Sequence, residues 1–125
     1  LTPLIRIHSM KFYNMAGAPD SMVRVGQDLA DEFVAMKDYE GARQVMEQHV
    51  LPIVKTAGLM NRLVQVRSQY AVILALCEQH DDADAEMRRL EPYFEGLTGE
   101  QRQEVEYQSN YIAQLAYNAS KPAIR

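Results

Sequence analysis

Few residues of this chain have the type and spacing to do chemistry. Histidine could bind a metal or move protons near neutral pH, and the chain has three: His8, His49 and His80. His8 and His49 stand 41 residues apart. No carboxylate or cysteine at ligand spacing accompanies either, so both read as packing residues near helix ends. His80 sits beside Asp81, Asp82 and Asp84. That cluster could hold a hard cation, but it lacks the glycine and closing glutamate of a calcium loop. It reads as a solvated acidic turn that also caps the following helix. The single cysteine, Cys77, ends the apolar run from Ala71 and reads as a buried thiol, not a reactive one. Ser21, Ser68, Ser109 and Ser120 have no glycine elbow around them. Only Gly96 and Gly99 fall close together, so no phosphate-binding loop is present. The expectation is a non-enzyme, with no catalytic residue, no metal and no cofactor.

The elements that position these residues follow from composition and period. The 125 residues are 47% apolar and 24% charged, with a formal net charge of -4. That is globular composition, and its acidity disfavours a nucleic-acid-binding face. The apolar run Ala71 to Cys77 is far too short to span a bilayer. One cysteine excludes an internal disulfide framework and fits a reducing compartment, so the expected location is cytoplasmic. The chain opens on Leu1, which suggests a piece of a longer protein.

Apolar residues recur at three and four. Val25, Leu29, Phe33 and Met36 form one stripe, Val45, Met46, Val50 and Ile53 a second, and Val66, Tyr70, Ile73, Leu74 and Cys77 a third. Val105, Ile112, Leu115 and Ala116 continue the habit. This is the helical period, and no segment alternates as a strand would. The fold class is therefore all-α, with helices expected over 3–16, 21–36, 39–57, 62–79, 82–96 and 99–118. Asp20 and Asn61 are expected N-caps, and Thr98 with Gln101 has capping-box spacing. Gly17, Gly58 and Gly99 are expected left-handed helix ends. Pro52 and Pro92 predict a kink or a break. A frayed tail is expected over 120–125.

The three glycines lie 41 residues apart, and a shift of that length aligns much more. Leu29-Ala30-x2-Phe33-x8-Ala42-x3-Met46 becomes Tyr70-Ala71-x2-Leu74-x8-Ala83-x3-Met87, and a second shift reaches Tyr111-Ile112-x2-Leu115. The unit is a helix pair. The chain then reads as one domain over 1–119: a half unit 1–17, units 18–58 and 59–99, and a terminal helix 99–118. Such repeats form solenoids, each unit burying its apolar face on its neighbours. Ala30, Ala42, Ala71 and Ala83 would let the two helices of a pair approach closely.

The Leu-Ala-x2-Phe of the first helix, the turn Lys37-Asp38-Tyr39-Glu40-Gly41-Ala42 and the following Ala-x3-Met resemble a tetratricopeptide repeat. The long unit resembles the variant in kinesin light chains and in the sensor domains of MalT-type bacterial activators. The resemblance implies a superhelical α-α solenoid whose first helices line a concave groove. Carried onto this chain, the groove-lining spacing gives Arg24, Gln27 and Asp31, then Gln65, Ser68 and Val72, then Glu106 and Ser109. The implied function is a non-catalytic interaction module of a larger bacterial-type protein, binding a protein or peptide in that groove. Nucleic acid and membrane are not expected as direct partners. One alternative is an effector-sensing regulatory domain of a transcription regulator or signalling protein, taking a small effector. A second is a homodimerising segment that uses Tyr107 and Tyr111, four residues apart on the last helix.

Overall fold

A computed structural model describes residues 19–58 and 60–120. Among these the chain is all-helical and contains no strand. The order is α1 (Pro19–Ala35), α2 (Tyr39–Val45), a π-helical segment (Met46–Val50), α3 (Leu51–Ala57), α4 (Met60–Leu76), α5 (His80–Arg88), a 3-10 helix (Glu91–Gly96) and α6 (Gly99–Ser120). The expected helix 3–16, His8, Gly17 and residues 121–125 lie outside the described residues. Ser120 closes α6 and is not the start of a tail. Two compact units divide the chain, Leu1–Val66 and Arg67–Arg125, with the boundary inside α4.

In the first unit α1 packs against α2, the π segment and α3. Its buried residues are Met22, Val23, Gly26, Leu29 and Ala30, a stripe with helical period. Ala42, Val45, Met46, Val50 and Val54 are buried on the second helix of the pair. Ala30 and Ala42 are fully enclosed, as the small-residue pattern requires. Met36 was expected in the core and is 57% exposed. The physical reason is that α1 ends one residue earlier and the chain swings away at Lys37, where φ is 63°.

Pro52 neither kinks nor breaks the second helix. From Met46 to Val50 the hydrogen bonding slips into π register, and the Leu51 N–H donates to the Met46 carbonyl. Pro52 then falls in the first turn of α3, where a missing N–H is no loss. Gly58 ends this helix in the left-handed conformation, with φ 66°.

The second unit is built on Ala71, Leu74 and Ala75 of α4, Ala83 of α5 and Ile112 of α6. Tyr70, Val72, Met87 and Leu115 pack around that cluster. Pro92 does break its helix: α5 stops at Arg88, and the proline lies in the first turn of the 3-10 helix. Thr98 and Gln101 form the expected reciprocal cap. The Gln101 N–H donates to Thr98 Oγ1 at 3.1 Å, and the Thr98 N–H donates to Gln101 Oε1 at 2.9 Å. Gly99 consequently begins α6 and does not end the preceding helix. Asp20 and Asn61 also fall inside first turns and are not the residues before them, since α1 already includes Pro19 and α4 begins at Met60.

The turns inside the two helix pairs share one backbone geometry. Asp38 N–H donates to the Phe33 carbonyl at 2.8 Å and Lys37 N–H to that of Val34 at 2.9 Å. Gln79 N–H donates to Leu74 at 2.9 Å and Glu78 N–H to Ala75 at 3.0 Å. Lys37 and Glu78 are both left-handed, with φ of 63° and 65°. This double bond is the Schellman helix end. It recurs at the 41-residue offset read from the sequence.

Candidate functional site

A cleft of about 480 Å³ opens in the second unit. Asp84, Met87 and Arg88 come from α5, and Glu91 and Phe94 from the 3-10 helix. Leu97 follows that helix, and Arg102, Val105, Glu106, Ser109 and Asn110 come from α6. On each helix these positions are three, four and seven apart, so they share a face. The Pro92 break turns the chain from one wall toward the other. The Thr98–Gln101 cap fixes where the second wall begins.

Met87, Phe94 and Leu97 are half-buried and Val105 is buried, which makes an apolar floor. The rim carries Asp84, Arg88, Glu91, Arg102 and Glu106, all exposed. None of these five side chains forms an ion pair among the described residues. Elsewhere the arginines are engaged. Arg43 pairs with Glu40 and Glu47, and Arg62 with Asp20. Arg67 and Arg89 both pair with Glu86, the buried charged side chain of α5. The two Arg62 hydrogen bonds to Asp20, 3.0 and 3.2 Å, hold that carboxyl below its ordinary range, and Arg24 adds to the effect.

Of the groove residues expected from sequence, Arg24 and Asp31 are exposed on α1, and Gln27 is half-buried there. Gln65 is exposed and accepts from Arg62 Nη1 at 3.5 Å. Ser68 is fully buried and Val72 packs on the apolar cluster, so neither presents a side chain freely to a partner. Glu106 and Ser109 are brought together at the cleft. Tyr107 and Tyr111 are exposed, by 69% and 40%. Tyr111 was read as core-facing, but the inward face of α6 is Val105, Ile112 and Leu115, and Tyr111 flanks it.

His80 is not in a turn; it opens α5, and neither ring nitrogen, both buried, has a hydrogen-bond partner. Asp81 and Asp82 occupy the first turn of that helix, where the helix dipole favours a negative charge. Among the described residues no three His, Cys, Asp or Glu side chains converge on a metal position. Cys77 is half-buried, less enclosed than its apolar run suggests, because it lies in the turn after α4.

Sequence reasoning missed Met87, Arg88, Phe94, Leu97 and Arg102 as cleft residues. The signal that could have found them is the repeat offset, which sets Glu91 and Arg102 opposite Val50 and Asn61. No family model, curated protein or solved structure matches the chain.

Proposed function

We propose that the chain is a non-catalytic interaction module, a tetratricopeptide-like stack of helix pairs that holds a protein or peptide partner at the cleft of the second unit. The observation that carries this reading is the cleft itself: an apolar floor open to solvent, ringed by charges that have no partner within the chain. Glu106 and Ser109, two of the groove positions implied by the resemblance, line it. The stack is supported by the recurrence of the interhelical turn at the repeat offset. The test is selection of a phage-displayed random peptide library on the immobilised chain. Ser109→Trp serves as the comparison, since it fills the cleft from an exposed position and leaves the core alone. Clones enriched on the parent chain and lost on Ser109→Trp support the reading. Enrichment no better than on a blank surface, or clones indifferent to Ser109→Trp, would overturn it.

A second reading, self-association through α6, is favoured by the exposure of Tyr107 and Tyr111 on one helix face. Sedimentation decides it: a dimer at high concentration that Tyr107→Ser with Tyr111→Ser dissociates supports it, and a monomer throughout ends it.

A further inference from the structure

Resting on the cleft as the partner site, we infer that its occupant is a peptide segment with two adjacent apolar side chains, flanked by a cationic residue on one side and an anionic residue on the other. The volume, about 480 Å³, lies in the range that takes a drug-sized ligand or a few side chains. Met87 at the floor is an adaptable apolar contact.

The repeat offset shows that the opening is specific to this place. Met46 and Val50, the counterparts of Met87 and Glu91, are fully buried. Ser68, the counterpart of the exposed Ser109, is also fully buried. Positions that are closed at one point of the repeat are therefore open and charged at the next. The charges themselves are unspent. Arg43 and Glu47 stand four apart and pair. Their counterparts Asp84 and Arg88 keep that spacing in the order that favours pairing on a helix, yet do not pair and line the cleft instead.

Both signs appear on both walls: Asp84 and Arg88 on α5, Arg102 and Glu106 on α6. A polyanion would meet three carboxylates, and a purely basic segment would meet two guanidinium groups. A segment carrying one charge of each sign beside its apolar pair satisfies both walls.

The test uses fluorescein-labelled synthetic peptides with a central Leu-Leu pair, read by fluorescence anisotropy. Flanks are Lys before and Glu after, the reverse, all Lys, or all Glu, and an Ala-Ala core is the control. One of the two mixed orders should bind about tenfold more tightly than either single-sign peptide, and the Ala-Ala core should abolish binding. The Arg88→Glu/Arg102→Glu variant, altered only at exposed positions and checked for unchanged helicity by circular dichroism, should shift preference to the all-Lys peptide. A single-sign peptide that equals the mixed ones, a preference unmoved in that variant, or no binding by any peptide overturns the inference. Failure here with Ser109-dependent clones still recovered from the library leaves the interaction module standing and removes only the charge pattern.

Discussion

The two helix pairs are copies in their turns and opposites in what lies between their helices. In the first pair, Gly26 and Val45 are buried where the second has Arg67 and Glu86 at the same offset. Glu86 is 5% exposed, and its carboxylate accepts from Arg67 Nη1 at 2.8 Å and from Arg89. A glycine and a valine close the first pair by contact, whereas the second is held by an ion pair that must stay satisfied. The turns differ in the same sense. Asp38 accepts from the Gly41 N–H at 3.0 Å in the first, and its counterpart Gln79 makes no side-chain cap. Backbone geometry is conserved between the two pairs while the means of holding it has changed.

The largest expected effect breaks the second pair and spares the first. Glu86→Ala leaves Arg67, 30% exposed, without its main partner. Breaking a fully buried pair costs about 3–5 kcal/mol; with the partial exposure here, about 2–3 kcal/mol is expected. Replacing both members, as Arg67→Met with Glu86→Val, should cost less than about 1 kcal/mol, because an apolar pair of similar volume carries no desolvation penalty. Urea unfolding measures the totals. Native-state hydrogen exchange should show the Glu86→Ala loss in α5 amides more than in those of α1. Equal loss in single and double variants would mean that the ion pair does not hold this helix.

Next come substitutions that should treat the pairs alike. Ala30→Leu and Ala71→Leu each force extra volume into a fully buried position and should each cost about 1–3 kcal/mol. The useful quantity is the difference between the two, read from chemical denaturation. Values within about 0.5 kcal/mol would show that the small-residue contact is common to both pairs. A much smaller cost for Ala71→Leu would show that the second is packed more loosely.

A smaller effect tests the turns. A Cβ at Gly41 would lie 2.7 Å from Asp38 Oδ2 and 2.9 Å from Phe33 Cδ1, so a side chain there displaces the capping carboxylate. The counterpart of Gly41 is Asp82, which already carries a side chain, opposite Gln79 and Leu74. Gly41→Asp should therefore cost about 1 kcal/mol, the usual value of a lost cap. Combining it with Asp38→Gln, which copies the second turn, should cost less than the two single changes added. Strict additivity by thermal unfolding would deny the coupling.

Much of this architecture was legible in sequence, and the misses share a cause. Leu29, Ala30, Ala42 and Met46 were readable as core because apolar periodicity reports burial directly. Thr98 and Gln101 were readable because a capping box is local. The π segment was not, since the slip at Met46 answers a steric demand made by Pro52, and rules for proline predict trouble without saying how it is resolved. Glu86 was missed because a charge on a helix reads as solvent-facing. Its alignment with Val45 was the available clue, and Arg67 opposite Gly26 was its complement. Of the candidate site, Glu106 and Ser109 were visible as polar positions on one face. The floor of Phe94 and Leu97 depends on how the chain runs after Pro92, which no period encodes. Ser68 looked like a groove residue for the reason Glu86 looked exposed: polarity was taken for accessibility.

The smallest expected effect separates the pairs by pH. Asp20 and Arg62 link α1 to the first turn of α4, while their counterparts one repeat on, Asn61 and Gln103, carry no charge. The Asp20 carboxyl is held below its ordinary value of 3.8 when folded. A depressed folded pKa means that the contribution is complete at pH values above the unfolded pKa and is lost as pH falls through the folded one. Thermal midpoints of the parent chain and of Asp20→Asn should therefore differ by a small constant amount at neutral pH. The two curves should converge in acid below about pH 4, where the parent carboxylate takes up its proton. High salt should narrow the neutral-pH gap, since the Asp20 side chain is 51% exposed and the pair is screened. A gap that persists unchanged into acid would assign the effect of the substitution to lost packing instead of lost charge, and the pH dependence would then not distinguish the first pair from the second.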